Sequence, residues 1–209
     1  MTELEPMRDH WWWRPGWEIG RSFYTWHITF ADQSGAHQLV EDYAPVLKDL
    51  PMFDPIPVRW IHLTTQGIGF TDEVDQSDIG KITDAVRRQC AVIEPFTVTL
   101  GPAHVDPEAL MLPVRPVEPL VALRNAIRAG IGDVWGLDNV PESAEGFNPH
   151  VSLGYSNAAG PAEAVHEKVA AHRAATAEVT ISSVSLIDLN RDHKAYEWVD
   201  VATVPLGSA

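Results

Sequence analysis

The feature that most limits what this chain can fold into is an internal echo: His62-Leu-Thr64 returns as His150-Val-Ser152, 88 residues further on. Each tripeptide sits in a strand-like run, Val58-Arg-Trp-Ile-His-Leu-Thr-Thr65 and Asn148-Pro-His-Val-Ser-Leu-Gly-Tyr155. In a strand, residues i and i+2 point to one face roughly 6.6 Å apart, so each histidine shares a face with its own hydroxyl. In the second run Asn148, His150, Ser152 and Gly154 make a polar face, and Pro149, Val151, Leu153 and Tyr155 a largely apolar one, as in a half-buried strand. Either motif alone reads more simply as an ordinary antiparallel strand with its polar side in water. Two of them in matching contexts point to duplicated units around one pocket.

The flanking segments repeat as well. Phe23–Phe30 reads as a strand, Gln33–Lys48 as a helix, Leu50–Pro57 as a proline-rich loop, then comes the His62 strand, the Asp75–Val92 helix, a strand over Pro95–Leu100 and an extended piece near Ala103–Val105. The second half follows with a strand at Ala109–Arg115, a helix at Glu118–Asp133, a polar loop, the His150 strand, a helix at Pro161–Ala174, and strands at Glu178–Leu189 and Ala195–Val204. Shifting the first two helices by 88 residues lands them on the third and fourth. The expected fold is α+β: two similar lobes from an internal duplication, with antiparallel sheets facing a central cleft, helices outside and one motif on each wall. The repeat units run from about 21 to 106 and from about 107 to 205, in a single bilobal domain 21–209 preceded by a Trp-rich arm, 1–20.

Imidazole titrates near neutrality and can give or take a proton, while Thr and Ser hydroxyls can hold an anionic oxygen. Two of each around one pocket make a kit for splitting a phosphodiester without a metal. With 29 acidic against 15 basic residues the net charge is −14, which opposes nonspecific binding to a long polyanion. An extended nucleic-acid groove is therefore not expected, whereas a small phosphorylated ligand or an RNA end gripped locally fits. The nine histidines show no HxH or HExxH spacing, and Cys90, the one cysteine, cannot form an internal disulfide, so no metal site is expected. The stretch Met1-Thr-Glu-Leu-Glu-Pro-Met-Arg8 lacks the basic and apolar regions of a signal peptide, and no run of about 18 apolar residues follows. A soluble cytoplasmic protein is expected.

Val58-Arg-Trp-Ile-His-Leu-Thr, with the following Gly67, Gly69 and Phe70, and Phe147-Asn-Pro-His-Val-Ser-Leu together resemble the two-histidine (2H) phosphoesterase superfamily. Within it the resemblance is to the LigT-like 2′-5′ RNA ligase and cyclic phosphodiesterase group, and it extends over about Arg21 to Val204. It implies that His62 and His150 are the catalytic acid–base pair, that Thr64 and Ser152 are phosphate-binding hydroxyls, and that a 2′,3′-cyclic or 2′-5′ phosphodiester linkage of a nucleotide or RNA end is opened or formed without metal or other cofactor. Such an enzyme is an RNA-processing hydrolase. Two positions depart from the group's pattern. Tyr155 stands where many members carry a basic residue; it is a candidate substrate contact through its phenol or ring, although alternation groups it with Val151 and Leu153. Thr65-Gln66-Gly67 stands where an apolar continuation is commoner. The alternatives are a noncatalytic module that binds nucleotides or RNA ends, and a metal-dependent hydrolase using other histidines.

His27-Ile-Thr29 is a third HxT, on the first strand, but the repeat maps that strand onto Ala109–Arg115, which has no such motif. His27 is therefore placed outside the catalytic pair. Trp11-Trp-Trp-Arg-Pro-Gly-Trp17 holds four of the eight tryptophans; it reads either as an arm over an apolar surface or as a stacking platform for a base. Arg21, Arg115, Arg191 and Lys194 are scattered candidates for phosphate contacts, each reading more simply as a solvated surface charge.

Overall fold

A computed structural model describes residues 4–207. Residues 1–3 of the expected arm and 208–209 of the expected domain lie outside the described residues. The elements, in chain order, are β1 (Phe23–Thr29), α1 (Ser34–Lys48), β2 (Phe53–Pro55), β3 (His62–Phe70), α2 (Gln76–Cys90), β4 (Phe96–Leu100), β5 (His104–Asp106), β6 (Ala109–Arg115), α3 (Glu118–Trp135), β7 (His150–Ser156), α4 (Glu163–Ala171), β8 (Ala177–Ile181), β9 (Ser183–Asn190) and β10 (Glu197–Pro205).

Local chemistry sets the boundaries. Asp75 caps α2 by accepting from the Ser77 N–H at 2.8 Å, and Ile79, Ile82, Val86 and Cys90 form its buried stripe. Proline near the N-terminus opens α3, which ends at Gly136 with φ of 85°, a left-handed value that suits glycine. Val58–Trp60, expected to begin the first motif strand, instead makes one 3₁₀ turn after Pro57, so β3 starts at His62 itself. The loop Leu50–Pro57 contains the short strand β2.

Two sheets result, in strand orders β10-β9-β1-β3 and β2-β7-β6-β4-β8, with β5 also paired to β6 and every pairing antiparallel. Each motif strand lies beside the first strand of its own half: β3 beside β1, and β7 beside β6. The halves then exchange strands. β4 pairs with β6 and β8, while β9 and β10 join β1, and the 88-residue offset carries β4 into β9. Helices are shared in the same crossed way, α2 and α3 packing against β10 and β3, and α1 and α4 against β8, β2, β7 and β5. This exchange explains why the stretch Glu178–Leu189 is not one strand: the chain passes between the sheets at Ser182, whose carbonyl accepts from Leu206 N–H at 2.8 Å.

The N-terminal segment is built into the second sheet's end. Met7 exchanges backbone hydrogen bonds with Gly160, His10 N–H donates to Ser156 O at 2.8 Å, and Met7 and Trp11 are buried in the core. Among the described residues no helix is long and apolar enough to cross a membrane.

Candidate active site

The motif strands β3 and β7 run against each other across a cleft of about 520 Å³, and His62, Thr64, His150, Ser152 and Tyr155 all line it. That volume lies within the roughly 300–1,000 Å³ typical of small-ligand sites.

The two histidines are held in the same way. His62 Nδ1 donates to the carbonyl of Trp60 at 2.8 Å, and His150 Nδ1 to that of Asn148 at 2.9 Å. A carbonyl only accepts, so both rings carry hydrogen on Nδ1 and leave Nε2 as the second nitrogen. Each ring is thereby oriented by the carbonyl two residues upstream. His62 is 9 % exposed; burial, with His150's charge nearby, pulls it down to about 4 in spite of the Trp60 carbonyl, so it is neutral at pH 7. His150 is only half-buried.

Neither motif strand alternates strictly. In the β6–β7 ladder Leu110 faces Gly154 but Met111 faces Ser152, so Leu153 is an extra, bulged residue. The β1–β3 ladder slips at the equivalent place, with Trp26 opposite Gln66 and His27 opposite Thr64, which bulges Thr65. The bulge after each hydroxyl changes which later residue faces the cleft. Tyr155, which alternation groups with Val151 and Leu153, turns into the cleft beside Ser152, while Gly154 turns away. A Cβ on Gly154 would come within 2.8 Å of Leu47 Cδ2 on α1 and 3.3 Å of Asp54 O. In the first half the corresponding cleft position is Gly67, where a Cβ would meet Glu142 Oε1 at 2.6 Å.

The polar continuation Thr65-Gln66 serves this bulge. Thr65 Oγ1 donates to Trp26 O at 2.7 Å, and the buried Arg124 of α3 donates through Nε to Thr65 O at 2.8 Å. Arg124 also donates to the carbonyls of Ser143 and Ala144, and Arg128 bridges Gln66 Oε1 and the carbonyls of Pro141 and Glu142. Two arginines of one helix thus tie the 141–144 loop, and with it Glu142, to the cleft rim.

His27 belongs to the site more closely than the repeat predicts. Its ring is parallel to that of His62 (1°) at a centroid distance of 4.4 Å, and its Nε2 lies 3.1 Å from Thr64 Oγ1. Its Nδ1 is buried without a partner. A buried orphan N–H is rarer than an under-used acceptor, which places the ring hydrogen on Nε2, donating to Thr64 and leaving the hydroxyl hydrogen free for a ligand. Burial holds His27 well below the usual histidine range. Which strand β3 pairs with, and in what register, is set by long-range pairing that local alternation does not encode.

The arm adds further residues to the cleft. His10 stacks on Tyr155 (4.0 Å, 16°), bonds Tyr196 Oη through Nε2 at 2.9 Å, and lies 3.2 Å from Glu108 Oε2 without hydrogen-bond geometry. Burial, followed by Arg14 and Arg191, pulls it down to about 3. Trp11 donates to Asp54 at 2.9 Å, Trp17 stacks on Phe23 in the cleft wall, and Trp12 and Trp13 are exposed. Arg14 and Arg191 also line the cleft. Arg191 is 4 % exposed and is no surface charge. Arg21 is held by Asp72 and Glu73 away from the motif histidines, and Arg115 is exposed. Among the described residues no three His, Cys, Asp or Glu side chains are grouped to hold a metal ion.

This architecture is similar to solved structures across almost its whole length. TT0787 of Thermus thermophilus matches at TM-score 0.66 with 19 % identity, covering 90 % of this chain and 98 % of that one. E. coli LigT in its apo form matches at TM-score 0.62 with 15 % identity, covering 89 % and 98 %, and LigT complexed with 3′-AMP matches at 0.63 over the same shares. No curated protein sequence matches the chain. The family model of the 2′-5′ RNA ligase superfamily matches residues 32–193, spanning both motifs and most of the described fold, and the chain belongs to that superfamily.

Proposed function

We propose that the cleft is the active site of a metal-independent phosphoesterase that opens, or in reverse forms, a 2′,3′-cyclic or 2′-5′ phosphodiester of a nucleotide or RNA end. The observation that carries this reading is the matched anchoring of His62 and His150 through Nδ1, each with a hydroxyl two residues on and both lining one cleft. LigT has been crystallised with 3′-AMP and with ATP, which supports a nucleotide as the ligand class.

In the hydrolytic direction, the neutral His62 accepts a proton from water through Nε2 as the water oxygen bonds to phosphorus. The bond from phosphorus to one ribose oxygen breaks, and that oxygen takes a proton from Nε2 of a protonated His150, whose Nδ1 is held by the Asn148 carbonyl. The product is a ribose phosphomonoester. Thr64 and Ser152 donate to the non-bridging oxygens, Thr64 with the hydrogen that His27 leaves free. Ligation runs the relay backwards with a ribose hydroxyl as nucleophile. Tyr155 stands beside Ser152 with its phenol held in the protonated form by burial, so it too donates to a bound phosphate.

Turnover of 2′,3′-cyclic nucleotides in excess EDTA tests the proposal. Turnover that persists in EDTA and is lost in both His62→Ala and His150→Ala agrees with it. Loss of turnover in EDTA indicates a metal-dependent hydrolase, and binding without turnover indicates a noncatalytic nucleotide module.

A further inference from the structure

Buried charges in proteins are paired or hold a ligand, because an isolated ion away from water is costly. Arg191 breaks that pattern. It is 4 % exposed, its Nη2 donates to the carbonyl of His10 at 3.0 Å, and its Nη1 is buried with no partner although the side chain lines the cleft. Its guanidinium is packed among the rings of Trp11, Trp17 and Tyr196, at 5.6–5.8 Å from their centroids. The carboxylate that acts on it, Glu108, is already engaged by Arg14 at 3.0 Å and Arg8 at 3.8 Å. In a chain of net charge −14, a buried cation with an unpartnered donor in a cleft wall calls for an anion from outside.

That anion is not the one the motif hydroxyls hold. Arg191 is bonded to the backbone of His10, and the His10 ring is stacked on Tyr155, which in turn stands beside Ser152. The guanidinium's own contacts are with the His10 carbonyl and the Trp11, Trp17 and Tyr196 rings and not with Thr64 or Ser152, and the half-exposed Arg14 lines the same cleft. We infer that Arg191, assisted by Arg14, forms a second anion site in the cleft, and that the preferred ligand is a nucleotide carrying a second phosphate besides the one at the histidine pair. The inference rests on the phosphoesterase reading for the first phosphate only. A planar guanidinium with a free Nη1 suits a phosphate oxygen, and the aromatic walls exclude the water that would weaken the contact.

Calorimetric titration of the whole protein with adenosine 2′-monophosphate and adenosine 2′,5′-bisphosphate at low ionic strength tests this without requiring turnover. The wild type is expected to bind the bisphosphate about tenfold more tightly, the equivalent of one charge-assisted contact. Arg191→Gln is expected to bind both ligands alike, and Arg191→Lys to keep part of the preference. If Arg191 served only to hold the arm through His10, its loss would weaken both ligands equally and the preference would survive, which overturns the inference. Should Arg191→Gln not fold, two other measurements decide. Arg14→Gln must reduce the wild-type preference, and Arg14→Lys must keep part of it. A preference indifferent to both overturns the inference, as does equal or undetectable binding of the two ligands by the wild type. Turnover of a 2′,3′-cyclic nucleotide, measured in parallel, keeps the two readings apart: turnover with no bisphosphate preference removes the second site alone, whereas an Arg191-dependent preference with no turnover upholds the site and removes the phosphoesterase reading.

Discussion

The two walls of the cleft carry the same motif, the same carbonyl anchor and the same bulge, yet they are finished differently. On the first wall His62 is buried against the parallel ring of His27, Trp198 covers both edge-on, and Thr64 is bonded to His27. On the second, His150 is half-buried, and the residue that faces Ser152 across the ladder, where His27 faces Thr64, is Met111. The first wall presents Gly67 at the position after the bulge and the second presents Tyr155. On the proposed mechanism, duplication supplies two equal proton-transfer groups and their surroundings make them unequal. Burial keeps the His62 imidazole neutral, which suits it to the role of base proposed for the first wall.

Removing the imidazoles is the most severe way to break the comparison. His62→Ala and His150→Ala are each expected to lower kcat on a 2′,3′-cyclic nucleotide by about 10²–10⁴-fold. The double variant should fall short of the product of the two, because the groups serve one relay. Multiplicative losses, seen in steady-state kinetics, would mean that the walls act independently.

Removing the hydroxyls comes next. Thr64→Ala and Ser152→Ala should each cost about 10²-fold in kcat by withdrawing a donor from the charged transition state. The supporting residues sharpen the contrast further. His27→Ala removes both the ring behind His62 and the partner of Thr64, and should cost about tenfold or more in kcat, whereas Met111→Ala on the other wall should stay within a few-fold. Equal effects would show that the histidine backing of the first wall has no functional weight.

How far the sequence disclosed this site depends on the kind of signal. The pairing of His62 with Thr64 and of His150 with Ser152 follows from alternation over only three residues, which a bulge further along leaves intact. Strict alternation exchanges Tyr155 and Gly154 between faces, because the bulge at Leu153 is marked only by the adjoining Gly154 inside the strand. A hint was present in the 88-residue offset, which sets Gly67 against Tyr155 and Thr65 against Leu153. The strand exchange at Ser182 is marked only by the doubled Ser182-Ser183, which shifts the apolar alternation from Val179 and Ile181 to Val184 and Leu186, and long-range pairing decides where the sheets divide. Arg191 lies on no periodic element and its burial depends on the arm packing over it, a tertiary fact that local patterning does not encode.

A further effect is expected on stability. His62 and His10 titrate in the folded protein at about 4 and about 3, and His27 is also held low by burial, against about 6.5 when unfolded. As pH falls below about 6.5 the unfolded chain takes up protons that the folded chain does not, so these groups make stability fall toward pH 4 and leave it unchanged above about 7. Denaturant midpoints across pH 4–8 should show this slope, and His10→Gln should flatten it.

The most direct test of the division between the walls is the pH dependence of kcat/KM on a 2′,3′-cyclic nucleotide in EDTA, a parameter that reports the ionisations of the free enzyme. A bell-shaped profile is expected, with the acidic limb near pH 4, where His62 gains its proton. That limb should vanish from the residual activity of His62→Ala and persist in His150→Ala. An acidic limb that survives the loss of His62 and disappears with His150 would reverse the roles of the two walls and contradict the account.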